Sequence, residues 1–322
     1  MAQQSGSTVH FTHVEFRNAD HLGEIYSGPN MCYTRIDAGP FHSQMTRAAI
    51  GKVAFHTNRH ENHVLAEGAN PGGLVGIGCQ SPDSLPRRMA GEWFTNADVF
   101  IAGPRVEHFA KVMPGQKTFQ IFMPAELLAN ELTARLNREA FDFAGRRYQL
   151  HPGRHVVGKL IDIVTQSTHM AQELTDSSPS PEALEQLQKA IVERVVTILT
   201  TARNDLTGEL PSFSSTGWVL LQAREYFEEN RGTPIRLADV CRAVGVSQRT
   251  LQVAFADGLG ITPMRYLKLR RLHVVRERLQ RTTAEDVTVT LAAREAGFVD
   301  LSRFAHDYKE LFGQLPSETE RS

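Results

Sequence analysis

The residues best suited to chemistry stand on one short helical segment near the C-terminal end of the chain. Gln248, Arg249 and Gln252 carry long hydrogen-bonding side chains on the face opposite the apolar residues Leu251 and Phe255. An arginine fork matches O6 and N7 of guanine, and a glutamine amide matches N6 and N7 of adenine, each pair giving about 1–3 kcal/mol of discrimination. This pattern predicts a helix that reads base edges in a DNA groove.

A preceding helix and a turn must position that segment. Leu237, Val240 and Val244 share one helical face, and Gly245 follows where a helix ends in left-handed geometry, which glycine adopts without steric penalty. Ser247 can cap the free amides of the next helix, and we include it among the predicted DNA contacts. The pattern is typical of a helix-turn-helix, whose second helix enters the major groove.

The same pattern occurs a second time, with Gly297 at the turn and Asp300 as the helix cap. Val299 is expected to pack on Phe304 as a hydrophobic staple. Such a repeat is hard to obtain by chance. Four pairs are each 53 positions apart: Leu251 and Phe304, Phe255 and Tyr308, Gly260 and Gly313, Pro263 and Pro316. The predicted base contacts of the second unit are Ser302, Arg303 and His306, a less rich set than the first.

Between the two units, Thr262 and Pro263 begin a long helix that continues to Leu279. This helix can hold the two units about 34 Å apart, one turn of DNA. Residues 231–312 contain 14 Lys and Arg against 9 Asp and Glu, which favours an anionic partner for this part of the chain. Arg270 and Arg271 either bind phosphate or pack inside the domain, and we favour packing. Basic residues expected on the outside or flanks of the helix are Arg265, Lys268, Arg270, Arg271, Arg276 and Arg278.

Residues 218–319 resemble the DNA-binding domain of AraC/XylS-type bacterial transcription regulators. The resemblance implies a seven-helix domain with two helix-turn-helix units, and an N-terminal half that senses a small molecule and often dimerises. Within the family, residues 247–255 and 304–312 are most similar to the ethanolamine-utilisation regulator subgroup. The motifs that carry the resemblance are Val246-Ser247-Gln248-Arg249-Thr250-Leu251-Gln252, Gly260-Ile261-Thr262-Pro263, Arg270-Arg271-Leu272, Gly297-Phe298, and residues 304–313 followed by Pro316-Ser317.

Residues 1–150 have a pattern typical of β structure. Short apolar or alternating segments at 44–56, 74–78, 99–102 and 117–123 are separated by glycine and proline turns, which predicts a cupin-like barrel or sandwich. A helix is expected from Pro124 onward. We therefore predict an α+β chain, with a β-rich sensor domain at 1–150 and an all-α DNA-binding domain with two helix-turn-helix units at 217–322.

Two amphipathic helices are predicted in the segment 151–206, which we assign to dimerisation or packing. Apolar residues recur every three to four positions from Val156, and Ser180 can cap a second helix that begins with Pro181. The apolar stripe of the second helix, from Leu184 to Ile198, either completes the first domain's core or pairs with a second copy, which we favour. Residues 207–216 are the predicted linker.

Two weaker signals lie in the N-terminal half. His56, His60 and His63 lie near Glu61 and could bind a transition metal, as in cupin enzymes, but they lack a His-x-His pair, and we favour a solvated, histidine-rich turn. Trp93 is expected in the core or, alternatively, lining an effector pocket. We find no nucleophile elbow, Walker loop or dinucleotide fingerprint, and we expect no catalytic residues, metal or cofactor.

Composition agrees with a two-domain chain. The 322 residues are 41% hydrophobic and 22% charged, which excludes a largely disordered or collagen-like protein. No apolar run approaches the roughly 20 residues of a membrane span, the first residues lack signal-peptide features, and the three cysteines lie far apart. We expect a cytoplasmic regulator at the bacterial nucleoid.

The predicted function is sequence-specific regulation of transcription, with activation favoured over repression. The expected partners are double-stranded DNA, an effector of unknown identity, a second copy of the chain and RNA polymerase, with no membrane. Two alternatives stay open: a metal-dependent cupin-type enzyme domain fused to a DNA-binding module, and a ligand-independent DNA-binding dimer.

Overall fold

The computed structural model describes residues 9–17, 31–89, 92–136, 142–177, 179–201, 215–283 and 285–321. Its N-terminal half is built mainly from antiparallel strands, as the alternating segments predicted. The strands are β1 (Val9–Phe16), β2 (Met31–Arg35), β3 (Ser43–Ile50), β4 (Val53–His60), β5 (Val64–Ala69), β6 (Leu74–Gln80), β7 (Arg87–Met89), β8 (Glu92–Phe94), β9 (Val99–Ala102), β10 (Glu107–Val112), β11 (Gln116–Pro124) and β12 (Arg147–Leu150).

These strands form two antiparallel sheets. The larger sheet has the order β1-β3-β4-β11-β6-β9-β12, and the smaller has the order β2-β5-β10-β7-β8. The β-type segment at 44–56 forms the hairpin of β3 and β4, and Gly51 adopts a φ of 61° in the turn between them. Side chains from both sheets meet in a common interior, where the candidate sensor cavity lies.

Three helices accompany the sheets: α1 (Ala125–Leu136), α2 (Arg154–Leu174) and α3 (Pro181–Thr201). Helix α3 begins as predicted, with the Ala183 backbone N–H donating to Ser180 Oγ at 3.2 Å. Its apolar stripe, including Leu184, Ile191 and Val195, is buried in one core with α2 and the larger sheet. The prediction that this stripe pairs with a second copy is therefore wrong, because the chain's own core covers it.

The C-terminal half is helical. Its core contains the edge-to-face aromatic rings of Phe227, Phe255 and Tyr266, with Phe304 and Tyr308 around the second unit. Among the described residues this half has six α-helices and a final 3-10 turn, whereas the family resemblance implied seven helices. The elements are α4 (Ser215–Glu229), α5 (Leu237–Val244), α6 (Gln248–Leu259), α7 (Pro263–Gln280), α8 (Val289–Glu295), α9 (Leu301–Phe312) and the 3-10 turn Pro316–Glu318.

Three remaining sequence predictions concern segments and cysteines. Most of the predicted linker, 207–214, lies outside the described residues, and 215–216 already belong to α4. Cys32, Cys79 and Cys241 are free. In the described part of the chain, no helix combines the length and hydropathy needed to cross a bilayer.

Candidate nucleic-acid interface

The first helix-turn-helix consists of α5, a glycine turn and α6. Gly245 ends α5 in the left-handed region, with a φ of 72°. Ser247 caps α6, because its Oγ accepts a hydrogen bond from the Thr250 backbone N–H at 3.1 Å. Leu251 and Phe255 face the core and are almost fully buried. The exposed face of α6 carries the predicted contact residues Ser247, Gln248, Arg249 and Gln252.

The second unit repeats this construction with α8 and α9. Gly297 has a φ of 86°, and the Asp300 carboxylate accepts a hydrogen bond from the Arg303 backbone N–H at 2.9 Å. Tyr308 is fully buried, as the repeat predicted. The residues predicted to contact DNA from this unit, Ser302, Arg303 and His306, are exposed.

One packing prediction for the second unit is wrong. Val299 is 84% exposed and does not act as the staple. Phe298 packs on Phe304 instead, with their ring centroids 4.8 Å apart. The second turn has one more residue between the glycine and the cap than the first, and this added length brings the larger Phe298 ring onto the core.

Helix α7 connects the two units, and most of its residues are buried. Its 18 residues give a length of about 27 Å. Thr262 caps it, accepting a hydrogen bond from the Arg265 backbone N–H at 3.2 Å. A helix buried along most of its length cannot bend freely, so α7 fixes the separation of α6 and α9.

The arginines of α7 are mostly structural, as favoured for Arg270 and Arg271. Arg270 donates to Glu228 at 2.8 Å, and Arg271 donates to the Gly297 carbonyl at 3.1 Å. Arg276 is buried, which corrects the expectation that it lies on the outside or flank of the helix, and Arg271 is buried as the packing alternative predicted. The basic residues that stay exposed on this half include Arg236, Arg242, Arg249, Arg265, Arg294 and Arg303.

A cavity of about 280 Å³ lies between the two sheets. The larger sheet contributes side chains from β3, β4 and β11, and the smaller sheet from β2, β5, β7 and β10. Trp93 is absent from its lining and is 57% exposed, where the Arg88 guanidinium lies 4.6 Å from its ring centroid. Trp93 is therefore in neither of the two places predicted for it, the core or a pocket.

His56 and His60 are buried strand residues, so the prediction of a solvated turn is wrong for them. They lie four positions apart on β4, and the two-residue period of a strand turns both side chains into the cavity. His60 Nδ1 lies 2.9 Å from Ser43 Oγ, whereas His63 Nδ1 lies 2.6 Å from an Asp37 carboxylate oxygen. His60 and His63 therefore contact different side chains.

The described residues do bring three metal-ligand side chains together elsewhere, namely His306, Asp307 and Glu310 on α9. Asp307 already accepts a hydrogen bond from Lys268 Nζ at 2.8 Å. The group includes the predicted base-contact residue His306, and the ion pair between Lys268 and Asp307 joins α7 to α9.

The free energy of unfolding is expected to decrease as the pH falls, because of the histidines that line the cavity. Burial lowers the pKa of His56 to about 3, and that of His60 and His108 to about 4, with nearby arginines adding to the effect. An unfolded histidine has a pKa near 6.5, so below pH 6.5 the unfolded chain binds protons that the folded chain does not. Each histidine then lowers the free energy of unfolding by up to about 1.4 kcal/mol for every pH unit, until the pH reaches the pKa that this histidine has in the folded chain.

Urea denaturation at pH 7 and pH 5 measures this effect. We expect His60→Gln to lose less free energy of unfolding between the two pH values than the parent chain. Equal losses in the two proteins would show that His60 does not stay neutral in the folded state.

Comparison with known proteins identifies the C-terminal region. Residues 240–322 match the family model described as a helix-turn-helix domain. A probable AraC family transcriptional regulator from Rhodopseudomonas palustris, of known structure, is 37% identical, covering 31% of this chain and 93% of that one, with a TM-score of 0.29. Residues 240–322 are a helix-turn-helix domain. We call the C-terminal helices α4 to α9 the AraC-type domain, after the proteins to which they are similar.

Two curated relatives are regulators of operons. The probable thc operon regulatory protein of Rhodococcus erythropolis is 35% identical over 205 residues, covering 61% of this chain and 58% of the relative. XylDLEGF operon transcriptional activator 2 of Pseudomonas putida is 37% identical over 95 residues, covering 30% of this chain and 60% of the relative. The alignments therefore span less than two thirds of each of these relatives.

The AraC-type domain rests on the N-terminal half, a contact that the sequence did not predict. Tyr266 donates a hydrogen bond to Glu67 at 2.9 Å, and the Arg35 backbone N–H donates to His273 Nε2 at 3.1 Å. Burial and the neighbouring Glu67 raise the pKa of Tyr266 well above its usual value, so it stays a donor.

Strands β2, β5 and β10 of the smaller sheet form this contact, and we call them the shared wall. On β10, Glu107 and Phe109 face the AraC-type domain, where Glu107 pairs with Arg224. The alternate residues, His108 and Ala110, line the cavity. The shared wall therefore has the cavity on one side and the AraC-type domain on the other.

Proposed function

We propose that this chain is a sequence-specific transcriptional regulator that reads two adjacent major-groove segments of double-stranded DNA and activates transcription in the bacterial cytoplasm, at the nucleoid. One observation carries the proposal: the AraC-type domain presents two capped, glycine-turned recognition helices, α6 and α9, whose polar faces are exposed. Structural helix pairs seldom leave such faces free of packing twice at matched positions.

The two units are proposed to contribute unequally to specificity. Arg249, Gln248 and Gln252 offer fork and amide geometries that distinguish guanine and adenine. In the second unit, Arg303 has the same capacity, but Ser302 is compatible with several bases and His306 has a single ring edge to offer. We expect α6 to define a longer block of the operator than α9.

The N-terminal half is proposed to sense a small-molecule effector. The support is the cavity of about 280 Å³, close to the volume of small-molecule sites, with polar groups set among apolar walls. Relatives named as regulators favour this over the cupin-type enzyme alternative. A ligand-independent dimer is the second candidate, and it predicts that no metabolite shifts the unfolding temperature of the chain.

Three finer assignments are part of the same proposal. RNA polymerase is the expected partner of an activator. A homodimer would need a surface other than the apolar stripe of α3, which is buried. Likeness to the ethanolamine-utilisation subgroup is confined to residues 247–255 and 304–312, so it concerns DNA reading and says nothing about the effector.

Selection of duplexes from a random pool by the full chain tests the proposed function. We expect enrichment of a site with two conserved blocks whose centres lie about 10 base pairs apart. The affinity should fall steeply as salt rises, because phosphate contacts release counterions. A pool that shows no enriched sequence after selection would contradict the proposal.

A further inference from the structure

The cavity between the sheets contains an arginine for which the described residues supply no counterion. Arg87 on β7 projects into it, and Arg87 Nε is fully enclosed without a hydrogen-bond partner. Its aromatic neighbour is Phe94, whose ring centroid lies 5.6 Å from the guanidinium carbon. The described residues that line the cavity include no Asp or Glu. A guanidinium stays protonated, and enclosing its Nε without a partner is costly, which points to an anion that arrives from solution.

A second donor lies close to the same charge. His108 on β10 lines the cavity, and its Nδ1 is enclosed. The positive charge of Arg87 contributes to the lowered pKa of both His108 and His60, which places all three within electrostatic range. The neutral ring of His108 can donate one hydrogen bond to an acceptor.

The other side chains that line the cavity restrict the size and the polarity of the remainder of the ligand. Apolar side chains form much of the wall, including Ala54, Ala110, Val112, Leu74 and Phe122. An apolar cavity of about 150 Å³ holds one benzene ring, so the 280 Å³ available here suits a ring or a short chain that carries a small polar head.

We propose that this cavity binds a small monocarboxylate with an apolar body, its carboxylate held by the Arg87 guanidinium and by His108. The inference rests on the proposed function, since it names the chemical class of the effector. A carboxylate accepts two parallel hydrogen bonds from a guanidinium, which a neutral ligand of the same shape cannot do as strongly. The apolar walls then select for the body of the molecule.

The position of the site also indicates how its occupancy reaches DNA. Helix α6 packs on β7 and β10, the two strands that carry Arg87 and His108. Ligand contacts at Arg87 therefore act on the strands that support the first recognition helix. If the ligand alters DNA affinity, DNA must alter ligand affinity by the same factor.

Isothermal titration calorimetry with the full chain tests the site directly. The probes are hexanoate and phenylacetate, each compared with its neutral amide. We expect saturable binding of at least one carboxylate and binding of its amide that is roughly ten- to a hundredfold weaker. Arg87→Gln should weaken carboxylate binding by a similar factor. The matched control is Arg88→Gln, since Arg88 lies on the outer side of β7 against Trp93.

A second measurement keeps the test independent of the probe chosen. Arg87→Met should raise the thermal unfolding midpoint of the ligand-free chain, because it replaces an unbalanced charge with an apolar side chain. The proposal is overturned if Arg87→Met lowers the midpoint, if amides bind as tightly as carboxylates, or if neither carboxylate binds at millimolar concentration. DNA affinity, measured separately by fluorescence anisotropy, distinguishes failure of this site from failure of the proposed function.

Discussion

Replacing Arg249 with alanine is expected to weaken binding to the selected operator by about 1–3 kcal/mol and to relax selectivity at one base pair. Arg249 is exposed in the first turn of α6, and the Ser247 cap and the buried Leu251 fix the orientation of that turn. Removing the side chain removes a base contact without opening a cavity. The free energy of unfolding should therefore stay within about 0.5 kcal/mol of the parent value.

Fluorescence anisotropy on the operator and on single-base variants measures both effects. Arg242→Ala is the matched control, because Arg242 is equally exposed but lies on α5, where it pairs with Asp239. The control should weaken all sequences by a similar small factor. Parent-like affinity and selectivity in Arg249→Ala would mean that α6 does not lie in the groove as proposed.

Replacing Arg270 with alanine is expected to lower the free energy of unfolding by about 2 kcal/mol, because its half-buried guanidinium donates charged hydrogen bonds to Glu228 and to strand β2. Arg270 joins α7 to two other parts of the chain: to Glu228 on α4, and to Cys32 and Thr34 on the shared wall. Burial opposes its charge, but Cys32, Tyr266 and Glu67 together raise its pKa. Operator affinity measured well below the unfolding transition should change less than in Arg249→Ala.

Urea denaturation followed by intrinsic fluorescence measures the loss. Arg265→Ala, on an exposed position of the same helix, should cost less than about 0.5 kcal/mol. Arg270→Lys should recover only part of the stability, since an ammonium group cannot reproduce the two-nitrogen contact with Glu228. A destabilisation no larger than that of Arg265→Ala would show that Arg270 is not a structural residue.

The local features of the AraC-type domain could be predicted from the sequence because they depend on neighbouring residues. A cap such as Ser247 and a left-handed glycine such as Gly245 act within one turn of the chain. The staple at Val299 failed for the same reason: the position was inferred from the first unit, but one added turn residue moved the contact to Phe298. A contact in one unit can be inferred from the other unit only where the turns of the two units have the same length.

The cavity could not be predicted because it depends on which strands become neighbours. His56 and His60 were expected in a solvated turn, since nothing in their local sequence shows that β11 and β3 flank β4. The sequence does not distinguish Arg87 from other surface residues, because a lone arginine near a short strand is usually exposed. Trp93 was expected in the core or lining a pocket, yet it lies on a short edge strand, β8, where its ring packs against Arg88.

The contact between the two halves was also beyond sequence reasoning. Glu67 and Tyr266 are 199 positions apart, and their hydrogen bond depends on how two finished domains pack. The shared wall connects this contact to the cavity. Alternate residues of one strand serve the cavity and the AraC-type domain, so a change in strand position on one side displaces side chains on the other.

Changing the spacing of the operator tests the central claim most directly. Two recognition helices held by the buried α7 must read two blocks on one face of the duplex. Inserting about five base pairs, half a helical turn, between the blocks moves the second block to the opposite face. We predict that affinity for this duplex falls at least tenfold, to the level of a duplex carrying the first block alone. Undiminished affinity would contradict the account, because it would show that α6 and α9 do not read DNA together.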